Sequence, residues 1–162
     1  ITNKIIMFRQ NMFHYKYNLV LPNFKWTGTK ATRKKNLISP QWLRNTKNRN
    51  YPIYRIDTFF SKKKYSNVKI IEDGGWHFSN IKTPKMLNHK FKSYLHHFEF
   101  DKAKIDENEI KNLMNKKQAI YNLGKDKRQS KVGNGKILEN YNIKNLPVYI
   151  QRNVYKYKDW LN

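Results

Sequence analysis

The residues best placed to do chemistry lie in Asp73-Gly74-Gly75-Trp76-His77-Phe78-Ser79-Asn80. Two adjacent glycines free the backbone for a positive φ or for close approach to a ligand, and an aromatic platform and an imidazole follow at once. Such a loop can stack a ring on Trp76, donate a hydrogen bond or a metal ligand from His77, and offer the Ser79 hydroxyl. A second group, His96-His97-Phe98-Glu99, lies beyond the following helix and adds a carboxylate. With Asp73 it gives two candidates for a general base. The same glycine loop also reads as a strand end with a tight turn, a core Trp and a His engaged only in structure.

Elements that could position these residues are legible from pattern. Aromatic and aliphatic residues over 4–20 predict a long strand or a bent strand pair ended by Pro22, and alternation predicts strands over 52–57 and 67–72, the last delivering the chain to the loop. Ser39-Pro40 and Thr83-Pro84 combine an N-cap residue with proline at the first helical position, predicting helices over 40–46 and 84–96. Leu87, Phe91, Tyr94, Leu95 and Phe98 fall within about 100° of one another on the second, a core-facing stripe. Asp106 and Glu109 have capping-box spacing for a helix over 106–117, and Leu146-Pro147 opens an aromatic-rich helix over 147–160. Residues 124–135, polar and basic with Gly133-Asn134-Gly135, read as an exposed loop. His89, His96 and His97 invite a metal reading, but His89 and His96 lie opposite the apolar stripe with no acidic cluster beside them, as solvated histidines do.

Composition narrows the classes. A chain of 162 residues, 38% hydrophobic and 15% aromatic, can bury a real core. It has no cysteine, which removes disulfides and thiolate metal sites. No run approaches the roughly 18 apolar residues of a membrane span, so a cytoplasmic or peripheral membrane protein is expected. A net charge of +23 ordinarily points to nucleic acid or an anionic membrane. The basic residues are mostly lysines scattered through every segment, in a chain also rich in Asn, Ile and Tyr, as an AT-rich coding sequence imposes. Nucleic acid is therefore the less favoured partner, with Arg33-Lys34-Lys35 and Lys62-Lys63-Lys64 as its contacts in that alternative, a basic binding module without catalytic activity. Peripheral association with an anionic membrane stays open. Walker, Rossmann and Ser-His-Asp patterns are missing from the sequence.

Gly75-Trp76-His77 with Ser79, a helix, and then His96-His97-Phe98-Glu99 resembles glycosyltransferase family 17, the β-1,4-mannosyl-glycoprotein β-1,4-N-acetylglucosaminyltransferase group and its bacterial relatives. The similarity extends to Lys30-Ala31, to Ser39-Pro40-Gln41-Trp42-Leu43-Arg44 and to Leu146-Pro147-Val148-Tyr149-Ile150 with Asn153 and Tyr157. It implies an α/β fold, a mixed sheet with flanking helices, as the C-terminal part of a GT-A-like nucleotide-sugar transferase domain. The implied reaction is inverting transfer of N-acetylglucosamine from a UDP-sugar donor to a glycan acceptor, with a divalent metal, Mn or Mg, in the complete enzyme. Family members carry their acidic Asp-x-Asp metal motif upstream of the strand that here begins at Ile1. Residues 1–162 are thus expected to be a single-domain fragment, the acceptor-side half, inactive alone and lacking the nucleotide-binding half. In this frame Glu99 and Asp73 are the catalytic candidates, with Glu99 ahead. Gly75, Trp76, His77 and Ser79 bind substrate, and His77 is the metal ligand candidate.

Overall fold

A computed structural model describes residues 4–93, 97–123 and 132–162, with residues 97–99 described by their backbone alone. The fold is mixed α/β and forms two compact units, residues 1–11 with 25–75 and residues 12–24 with 76–162.

The first unit is built on a three-stranded sheet of order β4-β1-β5, from β1 (Ile5–Phe8), β4 (Lys30–Thr32) and β5 (Val68–Ile71). β1 runs antiparallel to β4, with Ile6 opposite Ala31, and parallel to β5, with Ile6 opposite Lys69. Ile5, Met7 and Val68 bury their side chains against Trp42 of helix α1 (Pro40–Asn45). The expected cap is present: the Trp42 N–H donates to Ser39 Oγ at 3.0 Å. At the other end of α1 the Lys30 ammonium donates to the carbonyls of Arg44 (2.9 Å) and Thr46 (2.6 Å), where the helix dipole favours a cation.

The second unit contains most of a four-stranded sheet of order β6-β2-β3-β7, from β2 (Gln10–His14), β3 (Leu19–Trp26), β6 (Trp76–Ser79) and β7 (Glu139–Asn140). Phe13, Leu146 and Ile150 form one core with Phe78, Tyr141 and Tyr157. Helix α2 (Pro84–Lys92) packs on α4 (Glu107–Asn115), burying Leu87, Phe91, Ile110 and Leu113. The reversal between β2 and β3 ties down distant chain. Tyr15 takes φ of 65°, and its hydroxyl donates to the Gln118 carbonyl at 2.8 Å. Lys16 donates to the Asp159 carbonyl, the Tyr17 N–H to the Trp160 carbonyl, and the buried Asn18 amide exchanges two hydrogen bonds with the Asn162 backbone.

Several expected elements end elsewhere. The strand expected over 4–20 is divided into β1, β2 and the start of β3, and β3 continues through Pro22 to Trp26. Pairing of β3 with β7 covers only Leu19 and Val20, so on that side the proline, which cannot donate a ladder hydrogen bond, has no strand partner to donate to. Residues 52–57 are not a strand: the Arg55 N–H turns back to the Pro52 carbonyl, and a 3-10 turn follows at Ile56–Thr58. The helix expected over 84–96 stops at Lys92, where the Ser93 hydroxyl donates to the His89 carbonyl at 2.8 Å and so competes with the helical ladder. Helix α3 (His97–Lys102) begins afresh, and Phe100 stacks on Phe91 with ring centroids 4.2 Å apart. The last helix is α5 (Val148–Arg152) and then a 3-10 segment, Val154–Trp160, because Asn153 leaves helical geometry and its amide donates to the Tyr149 carbonyl. Of the expected loop over 124–135, residues 124–131 lie outside the described residues, as do Tyr94, Leu95 and His96. Among the described residues no helix is long and apolar enough to cross a membrane.

The glycine loop closes the first unit. Gly75 has φ of 120°, while a Cβ on Gly74 would come within 2.8 Å of Phe8 Cβ, so the close approach is to the protein's own first strand. Gly74→Ala is therefore expected to destabilise the fold by about 1–3 kcal/mol in urea unfolding, the usual cost of overpacking; an unchanged midpoint would mean that Phe8 yields freely.

Candidate functional site

The expected site residues fall in both units. Asp73 and Gly75 belong to the first, where Asp73 sits at φ of 47° and its exposed carboxylate accepts from Lys25 at 2.6 Å. Lys25 also donates to Asn11, and the Gly75 carbonyl accepts the Asn11 N–H, so these groups are engaged in holding the loop. Trp76, His77 and Ser79 belong to the second unit, on β6. Glu99 falls in α3, and its side chain lies outside the described residues.

Alternation sorts β6. Phe78 points to the apolar core, with its ring 5.3 Å from that of Phe13 on neighbouring β2. Side chains one residue away on each strand therefore face the opposite side of the sheet, which places His77 and His14 on that side together. Trp76 keeps 39% of its surface exposed while its indole N–H donates to the Asn145 carbonyl at 2.9 Å. The ring is pinned by its edge. Its exposed area remains available for stacking.

His14 is 2% exposed, and neither ring nitrogen has a hydrogen-bond partner. Burial, then the nearby His77 and Lys90, bring its pKa down to about 4, so it is neutral at pH 7. Burial likewise lowers the pKa of His77. Lys90, on α2, is lowered by burial and then by Lys82, and its ammonium donates to Asn80 Oδ1 at 2.7 Å. Asn80 itself is buried and takes φ of 57° immediately after β6. His77 and Lys90 thus oppose the protonation of His14. A neighbouring anion would relieve that opposition, and a divalent cation would add to it. Among the described residues no group of three or more His, Cys, Asp or Glu side chains is arranged to hold a metal.

His14 and Lys90 are absent from the sequence-based site, and Asn80 stood in its loop without a role. The signal for His14 was an imidazole directly after Met12-Phe13 at the end of a strand; nothing in the sequence distinguished Lys90 from the other lysines. Two clefts flank α4, of about 470 Å³ beside Ile105, Asp106 and Asn112 and about 380 Å³ beside Tyr15, Lys111 and Lys117, and neither includes residues 76–80. Comparison with protein-family models, with curated proteins and with solved structures finds no match to this chain.

The buried imidazole makes stability depend on pH. His14 ionises near 6.5 when unfolded and at about 4 when folded, so the unfolded chain takes up the proton first. Its contribution is complete above pH 6.5 and is lost as pH falls from there through 4, amounting to about 3 kcal/mol. Denaturant unfolding of His14→Phe between pH 7 and 4 should show a shallower loss of stability than the natural chain; parallel profiles would exclude His14 as its source.

Proposed function

We infer that the chain is the acceptor-side part of an inverting glycosyltransferase that moves N-acetylglucosamine from a UDP-sugar to a glycan acceptor. The observation that carries the reading is the meeting of two segments about 70 residues apart, both part of the resemblance to glycosyltransferase family 17. Trp76 is bonded to Asn145 at the entry to Leu146-Pro147, and Phe78 packs with Leu146 and Ile150. In the first unit Lys30 caps the Ser39-to-Arg44 helix, a second pairing between segments of the same resemblance.

Chemically, the reaction needs a flat apolar surface for a sugar, stabilisation of the departing diphosphate, and a base for the acceptor hydroxyl. Trp76 supplies the first. His77, held towards its neutral form and half-buried, donates a hydrogen bond to a phosphate oxygen, with the Lys90 ammonium adding positive potential. Glu99 is the base in this reading, because the Asp73 carboxylate is already engaged by Lys25. A divalent metal in such an enzyme would add positive charge at the departing diphosphate, and no step at His77 runs through it.

In the complete enzyme, His77→Ala is expected to lower transfer about 100-fold while the protein stays folded, the usual cost of removing a group that stabilises a leaving group. Full transfer by a folded His77→Ala enzyme would make the histidine structural and remove this reading of the site.

A further inference from the structure

The first unit contains a segment whose burial pattern is inverted. Between Tyr51 and Tyr65 the apolar side chains face out: Ile53 is 76% exposed, Tyr54 83%, Ile56 73%, Phe59 75% and Phe60 86%. Polar and charged groups hold the segment from within. Tyr51, buried, carries the guanidinium groups of Arg49 and Arg55 and the Lys64 ammonium over its ring at 5.0, 5.8 and 5.7 Å. Arg55 donates twice to Asp57, which also accepts from Lys64 at 2.6 Å. The base is tied to the sheet by Asn50, whose side chain exchanges two hydrogen bonds with the Val68 backbone, and by backbone bonds from Lys47 to Lys63 and from Tyr51 to Tyr65. Trp42 donates to the Lys62 carbonyl. So many bonds fix one loop with its aromatics turned to solvent, an arrangement that costs hydration free energy unless something apolar receives them.

Charge indicates what receives them. Arg49, Arg55 and Lys62 to Lys64 flank the apolar residues in sequence, Lys62 and Lys63 exposed, and the acidic residue between them, Asp57, is neutralised by Arg55 and Lys64. A lysine-rich border is unlike a protein interface, where lysine is depleted, and the aliphatic Ile53 and Ile56 have no stacking role on nucleic acid bases. An apolar tip with a basic collar is the pattern that enters the headgroup boundary of an anionic bilayer, the apolar side chains below and the lysines among the lipid phosphates. We propose that residues 53–60 are a membrane-docking tip, inserting Ile53, Ile56, Phe59 and Phe60 into an anionic lipid surface while Lys62, Lys63 and Lys64 contact its headgroups. This stands independently of the glycosyltransferase reading.

The test is co-sedimentation of the natural chain with phosphatidylcholine vesicles, with and without about one-third phosphatidylserine. Because a net charge of +23 attracts any anionic surface, the decisive variant keeps the charge: Phe59→Ser with Phe60→Ser. Binding to the phosphatidylserine vesicles is expected to fall about tenfold or more in this variant, and again in Lys62→Gln with Lys63→Gln, as both signals are needed for stable attachment. Both pairs are exposed, so circular dichroism and the melting temperature should not change. Unaltered vesicle binding by the double serine variant would reduce the effect to diffuse charge and overturn the proposal. So would failure of the natural chain to bind, including the case in which sedimentation velocity shows a dimer that the serine variant abolishes.

Discussion

The second unit depends on the reversal between β2 and β3. Tyr15 to Asn18 occupy one tight turn, yet through them the start of the chain holds Gln118, Asp159, Trp160 and Asn162. Tyr15 takes a left-handed conformation that a bulky residue rarely adopts, and its buried hydroxyl finds a carbonyl 103 residues away. The Tyr15 and Asn18 bonds satisfy side-chain polar groups that would otherwise be buried unpaired, and that penalty makes the turn specific as well as stable. With the turn fixed, β2 and β3 lie side by side, and the Phe13 core and the His14 side of the sheet are both determined.

Sheet alternation then divides structure from chemistry on neighbouring strands. Phe13 and Phe78 complete a core with Leu146 and Ile150, while His14 and His77 face the other way, toward the potential of Lys90. A one-residue slip of either strand would exchange the two sets and bury an imidazole among the rings. The aromatic contacts therefore position the histidines, and the unpartnered imidazole of His14 remains neutral because burial, and then His77 and Lys90, disfavour its charge.

Helix starts were legible in the sequence because their causes are local: Ser39, Thr83 and Asp106 each accept the expected backbone N–H. Helix ends were not, since Ser93 and Asn153 stop their helices by side-chain bonds to preceding carbonyls, which their residue types permit but do not require. Residues 52–57 misled for a different reason. Their apolar alternation is real, but it faces solvent, and the cation cluster around Tyr51 overrides it. Of the candidate site, the β6 residues could be read from the loop motif, whereas Lys90 reaches it only through the packing of α2, where it donates to Asn80.

The chain passes between the two units three times, after Asn11, after Phe24 and after Gly75. Neither unit is a continuous stretch of sequence, so no single cut frees either one whole. During synthesis the strand residues 12–24 emerge well before their partners at 76–79 and 139–162, and meanwhile carry Phe13, Leu19 and Leu21 without the side chains that will cover them. Such non-local closure slows folding relative to a chain whose contacts are local. The order of translation thus leaves one apolar hairpin exposed until the last segment arrives, and chaperone dependence would be set there, at the first turn to be made and the last to be covered.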